Sequence, residues 1–333
     1  MRSAHDRSGF VTSAWAAVVT GTILAIASAI AGAHGGLGAG EGFPGLRAAA
    51  QFANGPDTEQ AMLDEAIANL ERQAEKLAAQ PGPSCPDDFA ALATGRPLRI
   101  SMFYGYDEHD GRVLDRADAQ AMSHVLTSPC RGELSACGFA LGSRSQSTIR
   151  LLRTLRGRPV EVNLFTSSLA GETRRSMNFV AASLGQDRLS RSVKERFYRE
   201  LIESDVVFYM GHSRLGGGLG FDKQSGVTTV VHAILPLPLL PVLEALRHRP
   251  TNLKILGMFS CDSNRYFRPA FESANPSLSL ILTKGDINYG PAEQASLGAL
   301  ESVLSRHCGH AFRQSMISVD ESDRSMTYLL RGR

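Results

Sequence analysis

Two segments of the sequence each place a reactive side chain just after a short apolar run. The run 206–210 ends two residues before His212, and the run 255–259 ends two residues before Cys261. An imidazole can take the proton of a thiol, so that the sulfur attacks a carbonyl carbon, and it can then return that proton to the leaving amine. The two residues together therefore predict nucleophilic catalysis by a cysteine with a histidine as general base.

The elements that must position these residues are predicted to be buried strands. Apolar runs at 205–210, 253–259 and 278–282 are separated by helical patterns, which is typical of parallel strands in an α/β sheet. Leu98–Tyr104 is predicted to be a further strand. Because functional groups of open α/β sheets lie beyond the carboxyl ends of the strands, we expect His212 and Cys261 to share one edge.

Several further elements follow from periodicity. A helix is predicted over 57–79, ending before Pro81-Gly82-Pro83, and shorter helices over 115–126 and 192–203. Alternation and β-branching favour a strand over 160–165. The pattern of 148–155 fits either a helix or the first arm of a hairpin.

Backbone groups beside the two reactive residues complete the predicted site. Gly211 allows a tight turn before the histidine, and the N–H groups of Gly211, Ser213 and Cys261 are candidates to hold a developing oxyanion. Three consecutive glycines follow the histidine and are predicted to form a flap that approaches a substrate backbone closely. They are Gly216, Gly217 and Gly218.

The order of these motifs resembles that of the caspase-like cysteine peptidases, the clan that includes gingipains and separase. In both, an apolar strand leads to Gly-His and a later one to Ser-Cys, and here the two residues are 49 positions apart, against roughly 50 in caspases. The resemblance covers residues 95–310. It implies a three-layer α/β/α sandwich with a mostly parallel sheet, peptide-bond hydrolysis by a His212–Cys261 dyad, a peptide or protein substrate, and no cofactor or metal.

Two departures from the caspase pattern are visible. Ser213 stands where many members have glycine, and the caspase pentapeptide Gln-Ala-Cys-x-Gly is absent. The segment 259–263, Phe-Ser-Cys-Asp-Ser, is closer to gingipain-like and separase-like relatives. Caspase-type specificity for aspartate is therefore not expected.

Two alternatives use the same region. Gly211-His212-Ser213 begins like the nucleophile elbow of α/β-hydrolases, with Ser213 as nucleophile and residues such as Asp286 and His310 as partners. The elbow needs a small residue where Leu215 stands, which disfavours it. The other alternative is a caspase-like scaffold without catalytic activity.

The N-terminus predicts export. Residues 11–33 contain no Asp, Glu, Lys or Arg and end in small residues, so 1–33 is interpreted as a signal peptide or an uncleaved N-terminal membrane anchor. The Gly- and Ala-rich stretch 34–55 is interpreted as a flexible linker, 56–84 as a helix packing on the main domain, and 85–333 as the catalytic domain. The expected location is the periplasm or cell envelope, or the medium.

Five cysteines fit an oxidising compartment in which one thiol stays free. Cys130 and Cys137 flank a short polar turn and could close a small loop, which would leave Cys85 and Cys308 as the second candidate pair. Cys261 is the residue expected to remain unpaired. The sequence does not fix this connectivity.

The remaining charged clusters predict no further partner. The net charge is +2, and the arginine-rich stretch 144–158 lacks interleaved aromatic residues, so no nucleic-acid partner is expected. Segment 107–111, Asp-Glu-His-Asp-Gly, could bind a cation but is interpreted as a solvated turn. His307 and His310 with Cys308 lack a second ligand pair, so a zinc site is not expected.

Overall fold

The computed structural model describes residues 56–92, 95–109, 112–223, 237–319 and 326–329. They form an α/β unit around a mixed, mostly parallel sheet of eight strands. The sheet contains β1 (Leu98–Tyr104), β4 (Ala140–Arg144), β5 (Thr148–Leu155), β6 (Arg158–Thr166), β7 (Val206–Met210), β8 (Ile255–Phe259), β9 (Ser279–Thr283) and β10 (Met326–Leu329), and a separate hairpin contains β2 (Glu108–His109) and β3 (Arg112–Val113). The helices are α1 (Pro56–Ala79), α2 (Leu114–Thr127), α3 (Gly171–Arg175), α4 (Phe179–Glu203), α5 (Leu240–Arg247), α6 (Ser263–Tyr266), α7 (Arg268–Ala274), α8 (Tyr289–Ser305) and α9 (Gly309–Ser315).

The order of the strands creates one crevice at the carboxyl edge of the sheet. The strands lie in the order β10-β9-β8-β7-β1-β6-β5-β4. The five from β9 to β6 are parallel, and β4, β5 and β10 pair antiparallel. From β1 the chain passes first to β6 on one side and then to β7 on the other. Such a reversal leaves a gap between the outgoing connections, where ligands of open α/β sheets bind.

Two hydrophobic clusters bury the central strands on both faces. Successive residues of β1 enter different clusters, because side chains alternate along a strand. Met102 packs with residues of α1, α2 and α8, whereas Phe103 packs with residues of α4, α5 and α7. β7, β8 and β9 are buried along their whole length, which explains why they are continuous apolar runs rather than alternating ones.

The predicted elements are present with two differences. The ambiguous segment 148–155 is a strand, β5, which pairs antiparallel with β6. Helix α4 begins at Phe179 rather than near Ser192, and the side chain of Asn178 caps it by accepting the Ala181 N–H at 2.9 Å. Much of the first half of α4 is exposed, so it carries no apolar periodicity that the sequence could reveal.

The cysteines pair as Cys85–Cys308 and Cys130–Cys137, with Cα separations of 5.1 and 5.0 Å, and Cys261 is free. The first bond ties the segment after α1 to the segment after α8, where Cys85 N–H also donates to the Arg306 carbonyl at 2.8 Å. Two disulfides indicate an oxidising environment.

The predicted signal segment 1–33 and linker 34–55 lie outside the described residues. Among the residues that are described, no helix combines the length and the apolar character needed to cross a membrane.

We predict that the two disulfides differ in their contribution to stability. The Cys85–Cys308 bond closes a separation of 223 residues and the Cys130–Cys137 bond one of 7. Loop-closure entropy gives about 5 kcal/mol for the long loop and about 2.5 kcal/mol for the short one. Denaturant unfolding of the double Cys→Ser variants should therefore show the larger loss for the Cys85/Cys308 pair. Equal losses would contradict this reasoning.

Candidate active site

His212 and Cys261 lie at the same edge of the sheet because β7 and β8 are parallel neighbours in register. Met210 pairs with Phe259, and the Gly211 N–H continues the pairing by donating to the Phe259 carbonyl at 3.3 Å. Each reactive residue is thus two positions beyond a paired residue, at the carboxyl end of its strand. Cys261 is also the one free cysteine among the described residues.

The imidazole of His212 is held at its Nε2 atom by two side chains. Tyr289 Oη lies 3.3 Å from Nε2, with its ring edge-on to the imidazole, and Asp107 Oδ1 lies 3.6 Å from the same nitrogen. The His212 side chain is 41% exposed. A carboxylate and a phenol at Nε2 leave Nδ1 as the ring nitrogen available for proton exchange with another group.

Asp107 is a site residue that sequence reasoning missed. It follows β1, and the two residues between them bond to β7 and to the loop after it. Gly105 N–H donates to the carbonyl of Met210, the last residue of β7, and Tyr106 N–H donates to the Gly220 carbonyl, both at 2.7 Å. The residue is 7% exposed, so the interpretation of a solvated turn is wrong for Asp107. Its place directly after the first parallel strand was the signal that could have found it.

Cys261 is half-buried, and its Sγ donates to the Ile287 carbonyl at 3.7 Å. The next residue, Asp262, donates its N–H to the Gly285 carbonyl at 2.9 Å. The loop after β9 therefore contacts the cysteine through Ile287, and the first residue of α8, Tyr289, contacts the histidine. The side chains of His212 and Cys261, both within the described residues, are not hydrogen-bonded to each other.

The backbone after both strands is strained. Arg214, Leu215 and Asp262 have φ values of 48°, 53° and 49°, in the left-handed region that non-glycine residues rarely occupy. The guanidinium of Arg214 holds this turn by donating to the carboxylate of Asp222 and, at 2.7 Å, to its carbonyl. Such strain persists only where the surroundings impose it, and it is concentrated at functional sites.

Two of the glycines after His212 are required by their backbone conformation and by close packing. Gly216 and Gly218 have φ values of 87° and 136°, in the region that favours glycine. A Cβ at Gly216 would lie 2.9 Å from Tyr266, and one at Gly218 would lie 2.8 Å from Pro238. The backbone conformation and these contacts explain why glycine stands at both positions, and no substrate is needed for that explanation.

Gly217, the middle glycine of the predicted flap, differs from its two neighbours. Its φ of −73° is a helical value that any residue adopts, so its backbone does not require glycine. The residue is buried, and its N–H donates to the Arg214 carbonyl at 2.9 Å, closing the 3₁₀ turn. The N–H of Gly217 is therefore engaged within the turn rather than presented to a substrate backbone, contrary to what a flap residue would require. The use of Gly216 and Gly218 in a flap stays a prediction.

The predicted oxyanion donors differ in availability. The Gly211 N–H is directed at the Phe259 carbonyl, so this residue serves the turn instead, where a Cβ would lie 2.7 Å from Tyr209 Oη. The N–H groups of Ser213 and Cys261 make no hydrogen bond within the described part of the chain. These two remain the candidate donors.

A group of buried carboxyls lies within electrostatic range of Tyr289. Burial, followed by repulsion from Asp107, raises the pKa of Tyr289, so its hydroxyl stays protonated. Burial also raises the pKa of Asp118 and Glu293 well above the ordinary range, and that of Asp115 to about 7, although the Ser167 and Ser168 N–H groups donate to Asp115.

The described residues contain no group of three or more His, Cys, Asp or Glu that could hold a metal ion. Of the three residues considered at the sequence level as a zinc site, Cys308 is in a disulfide. His307 is buried and contacts Ser302 Oγ through Nδ1 at 3.3 Å.

The arrangement around Ser213 does not resemble a hydrolase elbow. Ser213 is 4% exposed and is followed by a short 3₁₀ turn, Arg214–Gly216, instead of a long helix. His310 follows the far end of α8, which at 1.5 Å per residue is about 24 Å from Tyr289. Asp286 is exposed on the loop after β9.

We predict that Asp115 makes the domain less stable as pH rises. A carboxyl whose folded pKa is about 7 holds a proton that the unfolded chain has already lost, so the free energy of unfolding falls between about pH 4 and pH 7. Asp115→Asn keeps an acceptor for the two serine N–H groups and should flatten this fall by a few kcal/mol, about 1.4 kcal/mol per pKa unit.

The measurement is denaturant unfolding across this pH range. Because the pKa values of Asp118 and Glu293 are also raised, the stability of the Asp115→Asn variant should still depend on pH to some extent. An unchanged pH profile would mean that Asp115 is ionised in the folded protein.

Comparison with known proteins does not assign the chain to a family. No protein-family model, no curated protein and no solved structure matches it. The functional assignment therefore depends on the residues and the geometry described above.

Proposed function

We propose that this chain is an exported cysteine peptidase in which Cys261 is the nucleophile and His212 the general base. The observation that carries the proposal is the register of β7 and β8, which brings the ends of two neighbouring parallel strands to one edge with a histidine on one and the unpaired cysteine on the other. This edge adjoins the topological reversal between β1 and β7.

The chemistry follows from the two side chains. His212 accepts the Sγ proton, and the sulfur attacks the carbonyl carbon of a peptide bond. The N–H groups of Ser213 and Cys261 stabilise the oxyanion. The imidazolium then gives the proton to the leaving amine as the carbon–nitrogen bond breaks. A water molecule, deprotonated by the same imidazole, hydrolyses the thioester and restores the thiol.

Asp107 and Tyr289 would orient the imidazole in this mechanism. Asp107 Oδ1 faces Nε2 at 3.6 Å, which holds the ring with its Nδ1 turned away from the carboxylate. Tyr289, kept neutral by burial, contacts the same nitrogen and packs edge-on against the imidazole ring. Neither residue bonds to substrate, so both act as positioning residues.

The three-layer architecture and the exported location are part of the same proposal. Two hydrophobic clusters separated by the sheet, with helices in each, support a three-layer α/β/α sandwich of the caspase-like kind. The two disulfides and the charge-free segment 11–33 support export to the periplasm, the cell envelope or the medium.

The roles of the two residues are tested by single substitutions. We expect Cys261→Ala and His212→Ala each to abolish hydrolysis of a fluorogenic peptide library, because one atom forms the acyl intermediate and one base acts on it. Ser213→Ala should retain most of the activity, since only its backbone N–H is used. All three variants should unfold at similar denaturant concentrations.

Two results would contradict the assignment. Loss of activity in Ser213→Ala alone would support a serine hydrolase. Absence of hydrolysis by the folded, non-reduced wild-type chain across the whole library would support the inactive scaffold.

A second test requires no substrate. At mildly acidic pH we expect iodoacetamide to label Cys261 several-fold faster in the native wild type than in His212→Ala, because the imidazole accepts the thiol proton. Asp107→Asn should give an intermediate rate, while Asp286→Asn, an exposed aspartate on the neighbouring loop, serves as the control. Peptide mapping gives the rates. Equal labelling rates in all four proteins would contradict the proposal that His212 accepts the proton of Cys261.

A further inference from the structure

A second concave site lies on the sheet away from the candidate dyad. It is a cavity of about 430 Å³ between β5, β6 and α4, and it shares no lining residue with the site at His212 and Cys261. Its lining contains three arginines and one carboxylate, Glu161. A polar cavity of this size with an excess of arginine is typical of a site for a small anionic ligand.

The arginine-rich stretch 144–158 contributes one of its arginines, Arg150, to this cavity. Arg153, Arg156 and Arg158 donate to backbone carbonyl groups of neighbouring segments, so they are structural. Arg150 instead lies on the face of β5 that lines the cavity, where its Nη2 is 2.6 Å from Glu161 Oε2. This pair neutralises the one lining carboxylate, and Asn163 also donates to Glu161 at 2.9 Å.

The other two arginines come from α4. The guanidinium of Arg196 lies 5.6 Å from the centroid of the Phe165 ring and bonds Glu200 at 2.6 Å. Its Nε is buried without a partner in the described structure. Arg199, one turn along the helix, is exposed and pairs with no described carboxylate. The cavity therefore holds one uncompensated guanidinium, that of Arg199, which is available to an incoming acceptor.

Hydroxyl groups complete the lining, from Ser143, Ser147, Thr148 and Ser192. Guanidinium and hydroxyl donors together match a tetrahedral anion, whose oxygens accept several hydrogen bonds at once. The cavity, of about 430 Å³, is larger than one such anion requires. We propose that this cavity binds a phosphate or sulfate monoester group, carried by a sugar that occupies the remaining volume.

The test is isothermal titration of the full exported chain at low ionic strength with three probes: inorganic phosphate, a sulfated disaccharide, and the same disaccharide without sulfate. We expect binding of the sulfated sugar and none of the uncharged one. Weaker but measurable binding of inorganic phosphate would identify the anion as the recognised group. Failure of phosphate alone would assign recognition to the ester together with its sugar.

Variants separate a built site from general charge attraction. Arg199→Glu should weaken binding of the sulfated sugar at least about tenfold, the effect of losing one charge-assisted hydrogen bond. Ser143→Glu, on the exposed strand β4, adds a carboxylate at the rim and should weaken it as well. The matched control is Arg191→Glu, which makes the same charge change on the exposed surface of α4 but does not line the cavity.

Three outcomes would overturn the proposal. They are no binding of any charged probe by the wild type, equal weakening by Arg199→Glu and Arg191→Glu, and equal binding of the sulfated and unsulfated sugars. All variants are exposed substitutions, and unchanged denaturant midpoints would show that they fold. The dyad does not enter this experiment, so its outcome is independent of whether the chain is a peptidase.

Discussion

The parallel register of β7 and β8 determines where every functional group of the candidate site lies. Side chains alternate along a strand, so a slip of one residue in the pairing would move the side chains of each face of the sheet to the opposite face. The pairing of Met210 with Phe259 prevents this, and the buried residues on both faces make any other register costly. β1 on one side and β9 on the other then bring Asp107, in the loop after β1, and Tyr289, at the start of α8, to the same edge.

This dependence explains how far the sequence could predict the structure. Buried parallel strands are continuous apolar runs, so β7, β8 and β9 could be recognised, and with them the edge shared by His212 and Cys261. Strand β4 could not be recognised, because all five of its residues are exposed and form neither an apolar run nor an alternation of apolar and polar residues. The first half of α4 escaped recognition for a similar reason.

The two side chains that contact His212 show a different limit of prediction from the sequence. Asp107 precedes His212 by 105 positions in the chain and Tyr289 follows it by 77, yet both contact the same imidazole nitrogen. In the sequence, only its position after β1 marks Asp107 as a site residue, and its contact with His212 becomes known only from the pairing of β1 with β7. Contacts of this kind depend on tertiary structure, which local patterns do not contain.

The disulfide between Cys85 and Cys308 has a consequence for the integrity of the chain. It closes a covalent ring that contains all the parallel strands, the loop of each reactive residue and the connection between β7 and β8. A single backbone cut anywhere inside that ring leaves the two fragments joined. A nicked molecule would therefore keep His212 and Cys261 on one covalent framework and would separate into two pieces only after reduction.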